Sequence, residues 1–470
     1  MFDNKEKYLN NFSYKPTKNQ IEFFEHIDQF LQDFTKPEIF VLSGYAGTGK
    51  TSVVSALVKT LPSMKKRSVL LAPTGRAAKV LSQYTQRKAF TIHKKIYTLS
   101  LETDTFTPSE NNHKNTLFVV DEASMIPSYQ ASSGSEIFAY RNLLDDLITY
   151  VFSGYNCKLL FIGDPAQLPP VGTNLSPALD ASYLNATYSM EIHEHSLTQV
   201  VRQEMESGIL ANATFVRKQI EKDKFVGKLF KTDGYPDIVR IDGSELEELL
   251  IDSYSKVGED EVSFITTSNK RANLLNQSIR NRILYRDSEL NAGDLLMITR
   301  NNYFWLPSKA GMGFLANGDI VRINRIVKYH DMYDFRFADC EMEIVDSENT
   351  NRFEARILID SLHSEASSIS TADYQKLQES IRQDYQHIQS ERYGAIGLKT
   401  DPWMQALQVK FAYAYTCHKS QGGQWNTVFV DQGYITKERL NIEYLRWLYT
   451  ALTRATKKLY LVNFHEDFFI

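Results

Sequence analysis

The sequence is poor in cysteine, with three in 470 residues: Cys157, Cys340 and Cys417. They are too scattered for a disulfide framework or a zinc site, and a cytoplasmic, reducing compartment is the expectation. No apolar run approaches the roughly 18 residues of a membrane span. The opening stretch MFDNKEKYLNN is charged and polar, so no secretory signal is expected there. Neither sign of charge dominates: 53 Lys+Arg against 57 Asp+Glu leaves −4. By itself that argues against a nucleic-acid binder, which usually carries a basic footprint. No internal repeat or low-complexity tract is visible. What is present is ordinary for a soluble chain with a sizeable core, 43% hydrophobic and 23% charged. At roughly 100–200 residues per domain, about two to four domains are expected.

The charge is unevenly distributed. From Lys59 to Lys95 there are ten basic residues and no acidic one; from Asp237 to Glu261 there are nine acidic and two basic. Solvated surface is the plain explanation of such blocks.

Periodicity predicts alternating elements. Thr17 and Gln20 fit a capping box, and Ile21, Phe24, Ile27, Leu31 and Phe34 recur at helical spacing. Apolar runs at 39–42, 68–72, 117–120 and 158–162 read as buried strands, with a helix at 50–61. Such alternation argues for a parallel sheet covered on both faces. The pattern returns with strands at 262–266, 411–415, 427–430 and 459–463 and a helix at 270–284. Between these lies an interruption at about 290–399. Its first part, with Asp319–Ile323 and Phe353–Ile359, has the texture of a small barrel. Its second part predicts a helix from a capping box at Ser370–Asp373 through Tyr374, Leu377, Ile381, Tyr385 and Ile388 to Gly394.

Gly44-Tyr-Ala46-Gly47-Thr48-Gly49-Lys50-Thr51 is a complete Walker A pattern between a strand and a helix. Its glycines let backbone N–H groups face phosphate oxygens, and the helix N-terminus adds a favourable dipole. Lys50 reaches the β/γ-phosphates and the Thr51 hydroxyl suits Mg²⁺. Leu117–Val120 then delivers Asp121 and Glu122 at a strand end. Asp121 suits the Mg²⁺ shell, and Glu122 suits the deprotonation of an attacking water. To this point the chain reads as a P-loop ATPase.

Further motifs narrow it. Leu71-Ala-Pro73-Thr74-Gly-Arg76-Ala-Ala78, Phe90-Thr91-Ile-His93, Gly163-Asp-Pro-Ala-Gln167-Leu-Pro-Pro170, Leu197-Thr-Gln-Val-Val-Arg202-Gln203, Thr416-Cys-His418-Lys419-Ser420-Gln-Gly422 and Tyr449-Thr-Ala-Leu-Thr-Arg454 occur in that order. Together with Walker A and B they resemble the superfamily 1B helicases, the group containing RecD and the phage Dda helicase. The resemblance runs from about residue 17 to 465. It implies an α/β fold of two RecA-like parallel-sheet motor domains with a β-hairpin pin insertion and an inserted SH3-like barrel plus helical arm. The expected partition is 1–195 for the first motor domain with the pin at 97–116, 196–289 and 400–470 for the second, and 290–399 for the insertion.

The resemblance also implies roles. Gln20 matches the adenine-reading glutamine and Gln167 the γ-phosphate sensor. Arg202 and Arg454 match the arginines that reach the phosphates from the second domain, a task that suits a bidentate guanidinium. Pro73, Thr74, Arg76, Thr91 and His93 on one domain match the strand grip, and Thr416, His418, Lys419 and Ser420 match it on the other. Phe106 is the candidate stacking residue of the pin. Where many relatives have a ribose-contacting glutamate, this chain has Gln424. The implied activity is ATP- and Mg²⁺-dependent translocation on single-stranded DNA, 5′ to 3′, with unwinding of tailed duplex by a monomer. DNA repair and recombination are among the processes such enzymes serve, and the pathway stays open. Two readings stay open beside it: an ATP-gated nucleic-acid-binding subunit of a larger repair complex without unwinding of its own, and an RNA-directed helicase; repair or replication proteins are possible partners.

Overall fold

A computed structural model describes residues 4–99, 106–128, 142–201, 207–222, 225, 227–302, 304–306, 315–345, 352–366, 368–385, 397 and 400–470. The first sheet has six strands in the order β3-β2-β6-β7-β1-β8, all parallel. These are β1 (Glu38–Gly44), β2 (Arg67–Ala72), β3 (Ala89–Thr91), β6 (Lys114–Val120), β7 (Tyr155–Gly163) and β8 (Glu191–Leu197). Inserted between β3 and β6 is an antiparallel hairpin of β4 (Tyr97–Leu99) and β5 (Phe106–Pro108), at the position expected for the pin. The apolar runs read from sequence are the centres of β1, β2, β6 and β7, which are buried on both faces. The strand β8 was not expected. Its sequence, Glu-Ile-His-Glu-His-Ser-Leu, is polar because it forms the sheet edge beside β1. It runs to Leu197, so the expected boundary at 195 falls inside a strand of the first sheet.

The second sheet has the order β16-β10-β17-β18-β9, again parallel. Its strands are β9 (Ile238–Ile241), β10 (Val262–Thr266), β16 (Ala414–Thr416), β17 (Trp425–Asp431) and β18 (Ala455–Val462). Between β10 and β16 sits a closed barrel of β11 (Leu295–Ile298), β12 (Ile320–Met332), β13 (Phe335–Ile344), β14 (Phe353–Leu358) and β15 (Leu407–Phe411). The apolar run 411–415, read as one strand, is therefore two. Phe411 ends the barrel and Ala414 opens a motor strand, and the barrel closes beyond the expected limit of 399. The reason is local: Asn276 Oδ1 accepts the Tyr413 and Ala414 N–H groups and turns the chain from one sheet to the other. The Tyr413 hydroxyl accepts from Leu295 N and donates to Asp294, which Arg280 also grips with two hydrogen bonds.

The helix Thr371–Asp384 starts at Ser370 as expected, and Ser370 Oγ accepts from Asp373 N. Its Leu377 and Ile381 pack against Phe335, Phe337 and Leu358 of the barrel. The predicted continuation to Gly394 lies outside the described residues. Part of the acidic block braces this region: Glu259 pairs with Arg286 and Asp260 with Arg322 of β12. Among the described residues no helix is long and apolar enough to cross a membrane.

Candidate nucleotide and strand-gripping site

The phosphate loop follows β1 because the chain must turn from a buried strand into the helix Lys50–Thr60 within six residues. Gly47 and Gly49 take positive φ (75° and 81°), which L side chains rarely adopt. Gly44 lacks room for a side chain, since a Cβ there would come within 2.8 Å of Lys50 Cγ. Lys50 Nζ donates to the carbonyls of Gly44 (2.6 Å) and Tyr45 (3.1 Å), with Asp164 at 3.9 Å. Thr51 is exposed on the first turn of the helix. Thr48 is buried, its hydroxyl donating to Tyr45 O.

Gln20 fills the expected cap and also reaches the phosphate loop. Its Oε1 accepts from Thr17 N (2.9 Å), completing the capping box. Its Nε2 donates to Thr48 O (3.0 Å), fixing the helix Lys18–Phe30 to the phosphate loop. That loop leaves no space at Gly49, where a Cβ would lie 2.5 Å from Gln20 Nε2.

Asp121 and Glu122 end β6 next to the loop. Asp121 accepts from Tyr84 Oη (2.6 Å) and from Glu122 N (2.9 Å). Glu122 adopts φ 51°, a left-handed conformation that a non-glycine residue enters at a cost of roughly 1–3 kcal/mol. Burial raises the carboxyl pKa of both. For Glu122 the positive charge of Arg454 opposes that rise, while neighbouring Asp121 reinforces it. A carboxyl so poised can take a proton from water. Gln167 is buried, and its Oε1 is a buried acceptor with no hydrogen-bond partner. A carbonyl oxygen left so is costly unless a ligand meets it, so the residues fit a nucleotide and its metal.

The second domain closes over this cluster. Arg454 is buried and donates to Thr450 O, Gly423 O and Thr453 Oγ1. Arg202 lies outside the described residues; Val201, just before it, donates its N–H to Gly47 O. Gln424 is exposed, and its carbonyl accepts from Arg76 (3.1 Å). Three residues missed from sequence tie the second domain to the phosphate loop and to Arg76. The Tyr449 hydroxyl donates to Asp164 Oδ2 (2.7 Å) and accepts from Ala46 N (2.9 Å) in the phosphate loop. Arg217 stacks on Tyr45 at 4.2 Å. Trp425 carries the Arg76 guanidinium 4.0 Å above its ring. Sequence offers no signal for such pairs, because the partners stand 172 to 403 positions apart.

The strand-grip candidates fall into two groups. The Thr74 and Thr91 hydroxyls serve as N-caps, accepting from Ala77 N and Lys94 N. Arg76 is held on the second domain as described, and Pro73 flanks it, half-buried. His93 is half-buried near Tyr97, and burial lowers its pKa to about 4, so it is neutral near pH 7. Burial also lowers Lys94, to about 8. The helix Gly75–Thr85 meets the barrel: Asp319 stands against Gly75 too closely for any side chain there, and Lys79 donates to Val345 O. On the second domain, Thr416 precedes the turn Cys417–Ser420, where His418 is exposed and Lys419 half-buried. The Ser420 hydroxyl is buried and donates to Cys417 O, so it faces its own turn. Phe106 is placed in β5, opposite Leu99; its side chain lies outside the described residues.

Comparisons with known proteins agree with this geometry. Residues 29–173 match an AAA domain model and residues 411–462 a UvrD-like helicase C-terminal domain. The chain is 25% identical to the ATP-dependent DNA helicase dda of Enterobacteria phage T4, over 55% of each protein. It is 23% identical to the ATP-dependent DNA helicase Pif1 of Campylobacter jejuni, over 88% of this chain and 86% of that one. A Pif1 helicase from Bacteroides, solved with ADP-AlF3 and ssDNA, shares the fold at TM-score 0.52 and 15% identity, covering 97% and 95%. Two parallel sheets with a phosphate loop on one and a buried arginine on the other define a two-domain, ATP-driven P-loop motor. Within that class the chain is similar to the superfamily 1B helicases.

Proposed function

We propose that this helicase uses ATP to translocate on single-stranded DNA, 5′ to 3′, and to separate the duplex ahead of it. The observation that carries the reading is the convergence on Glu122 of Lys50 and Asp121 from one domain and of Arg454 from the other, near enough for their charges to act on its carboxyl. In this reading the amides of the loop, Gly44 to Thr51, cradle phosphate, while Lys50 trades its two carbonyl partners for phosphate oxygens. Gln20 supports the purine side of the loop, and Gln424 suits a ribose hydroxyl. Thr51 and Asp121 are the residues that would hold Mg²⁺, which when bound neutralises charge between the β- and γ-phosphates. Glu122 takes the proton of the attacking water. Gln167 senses the transferred group by donating from its amide nitrogen, while its unpartnered oxygen can accept from the attacking water. Arg454 and Arg202 balance its charge, an effect typically worth ~10³–10⁵ in rate.

The grip suits a phosphate chain rather than bases. The Ser420 hydroxyl donates within its own turn, whereas the Thr74 and Thr91 hydroxyls accept as N-caps and keep their protons for phosphate, beside backbone amides and the cations Arg76 and Lys419, with Thr416, His418, His93 and Pro73 shaping the track. Phe106 is the pin residue at the fork. The 5′ to 3′ sense rests on the likeness to Dda and RecD. Opening one base-pair step costs about 1.4 kcal/mol on average, well within one hydrolysis. Unwinding of 5′-tailed and 3′-tailed duplexes by the purified chain tests the proposal. Strand separation is expected on the 5′-tailed substrate alone, and is expected to vanish in Lys50→Ala. Failure on both substrates overturns the reading.

A further inference from the structure

The segment Asp164–Leu168 follows β7 on the first domain and contains Gln167. Four side chains of the second domain hold it. Tyr449 Oη donates to Asp164 Oδ2 at 2.7 Å. Arg446 donates to Pro165 O at 2.6 Å and to Gln167 O at 3.2 Å. Thr450 Oγ1 accepts from Leu168 N at 2.9 Å. Gln421 Nε2 donates to Leu168 O at 2.7 Å.

Three of these residues, 446, 449 and 450, share one face of the helix Ile442–Leu452, at the i, i+3, i+4 spacing that puts side chains side by side. The fourth, Gln421, follows directly on the turn Cys417–Ser420. Four of the five bonds go to backbone atoms of the segment, so they register where the chain lies rather than which side chains it carries. The bonding is also directional. The Thr450 hydroxyl spends its proton on Arg446 O (2.7 Å), so it meets Leu168 N only as an acceptor. Within this frame Gln167 Oε1 is buried without a partner while its own backbone is held on both sides.

We infer that Arg446, Tyr449, Thr450 and Gln421 form a positioning clamp, which passes displacements of the Gln167 segment to the turn Thr416–Ser420 and so couples phosphate sensing to strand grip. The inference rests on the helicase reading above. The path is short: Leu168 O to Gln421 Nε2 is one hydrogen bond, and Gln421 to Ser420 is one peptide. A shift of about 1 Å at Leu168 exceeds what a hydrogen bond of 2.7 Å tolerates without weakening. Gln421 therefore either follows the segment or lets go.

The test compares steady-state ATPase of the full chain with and without oligothymidylate, for wild type, Thr450→Val, Thr450→Ser and Gln421→Met. Valine matches threonine in shape and lacks the acceptor; methionine replaces glutamine at similar length without the donor. In both, the KM for ATP and the oligothymidylate Kd are expected within about twofold of wild type, while the stimulation of kcat by the oligonucleotide falls about tenfold or more. Thr450→Ser keeps the hydroxyl and is expected to retain stimulation within about twofold. Wild-type stimulation in Thr450→Val and Gln421→Met overturns the clamp. So does a parallel loss of KM, Kd and thermal midpoint, which marks simple interface damage. A wild-type protein that is itself indifferent to oligothymidylate fails differently: it removes the helicase reading, and the clamp with it.

Discussion

Tyr449→Phe isolates the contact between the second domain and the phosphate loop. The ring is 1% exposed, so phenylalanine fills the same space and only the oxygen is lost. Two hydrogen bonds go with it, one donated to the Asp164 carboxylate and one accepted from Ala46 N. A bond to a charged group is worth roughly 1.5–3 kcal/mol and a neutral one roughly 0.5–1.5 kcal/mol. The sum is about 2–4.5 kcal/mol of contact between the domains, assuming both bonds act independently. At about 1.4 kcal/mol per factor of ten, the local opening equilibrium at Ala46 rises roughly 30- to 2,000-fold. Amide hydrogen exchange followed by mass spectrometry measures this on a peptide containing 45–49, in the absence of nucleotide. Exchange should quicken there and across 164–168, with little change in the helix Thr371–Asp384, which packs on the barrel. Unaltered protection at 45–49 would refute the claim that Tyr449 seals the loop.

Three other outcomes follow from the same geometry. Glu122→Gln is expected to bind ATP normally and to hydrolyse it ~10²–10⁴-fold more slowly, the usual span of a lost general base; single-turnover kinetics beside a nucleotide-binding titration separate the two steps. Arg454→Met removes the positive charge that lowers the Glu122 pKa. That pKa then rises, Glu122 stays protonated to higher pH, and the acid limb of residual kcat against pH should move upward; a downward move contradicts the assigned electrostatics. Lys158 is buried, donates to Phe30 O and pairs with Glu38. Lys158→Met takes the ammonium from the Glu38 carboxylate, leaving His193 beside it at 3.6 Å, and should cost about 3–5 kcal/mol in urea unfolding of the first domain.

The motifs were legible because phosphate chemistry forces particular residues into adjacent positions. Gly44 to Thr51 needs its glycines for backbone reach, and Asp121–Glu122 must follow a buried strand. Strands buried on both faces were legible too: β10 occupies 262–266, as its apolar run indicates. The polar edge strand β8 escaped because half-exposed positions carry no apolar run. The run 411–415 misled because five buried residues look alike whether they serve one sheet or two; Asn276, more than 130 residues away, decides. The contacts between the domains were illegible for the same reason. Nothing in Tyr449 announces Ala46, nor does Trp425 announce Arg76. The two charge blocks take on meaning only in three dimensions. Arg76 and Lys79 of the basic block meet the second domain and the barrel, and Glu259 and Asp260 of the acidic block are paired with arginines.

Only Ala412 and Tyr413 separate the barrel from a strand of the second motor sheet, and both ends of that junction are pinned by Asn276 and Asp294. Such a junction has no swivel, so the barrel turns as one piece with the sheet it interrupts. The strand β12 has 13 residues, which at about 3.3 Å each makes an arm of about 40 Å. On an arm of that length, each ~10° of rotation of the second domain carries the tip about 7 Å, roughly the reach of two extended residues. The base of the arm meets less freedom. There Asp319 occupies the space a side chain at Gly75 would need and Val345 O holds Lys79, so the same rotation must slide or part the barrel from the helix that follows Thr74. The power stroke would then be felt at two places at once, as a sweep at the far end and as a loosening beside the strand track.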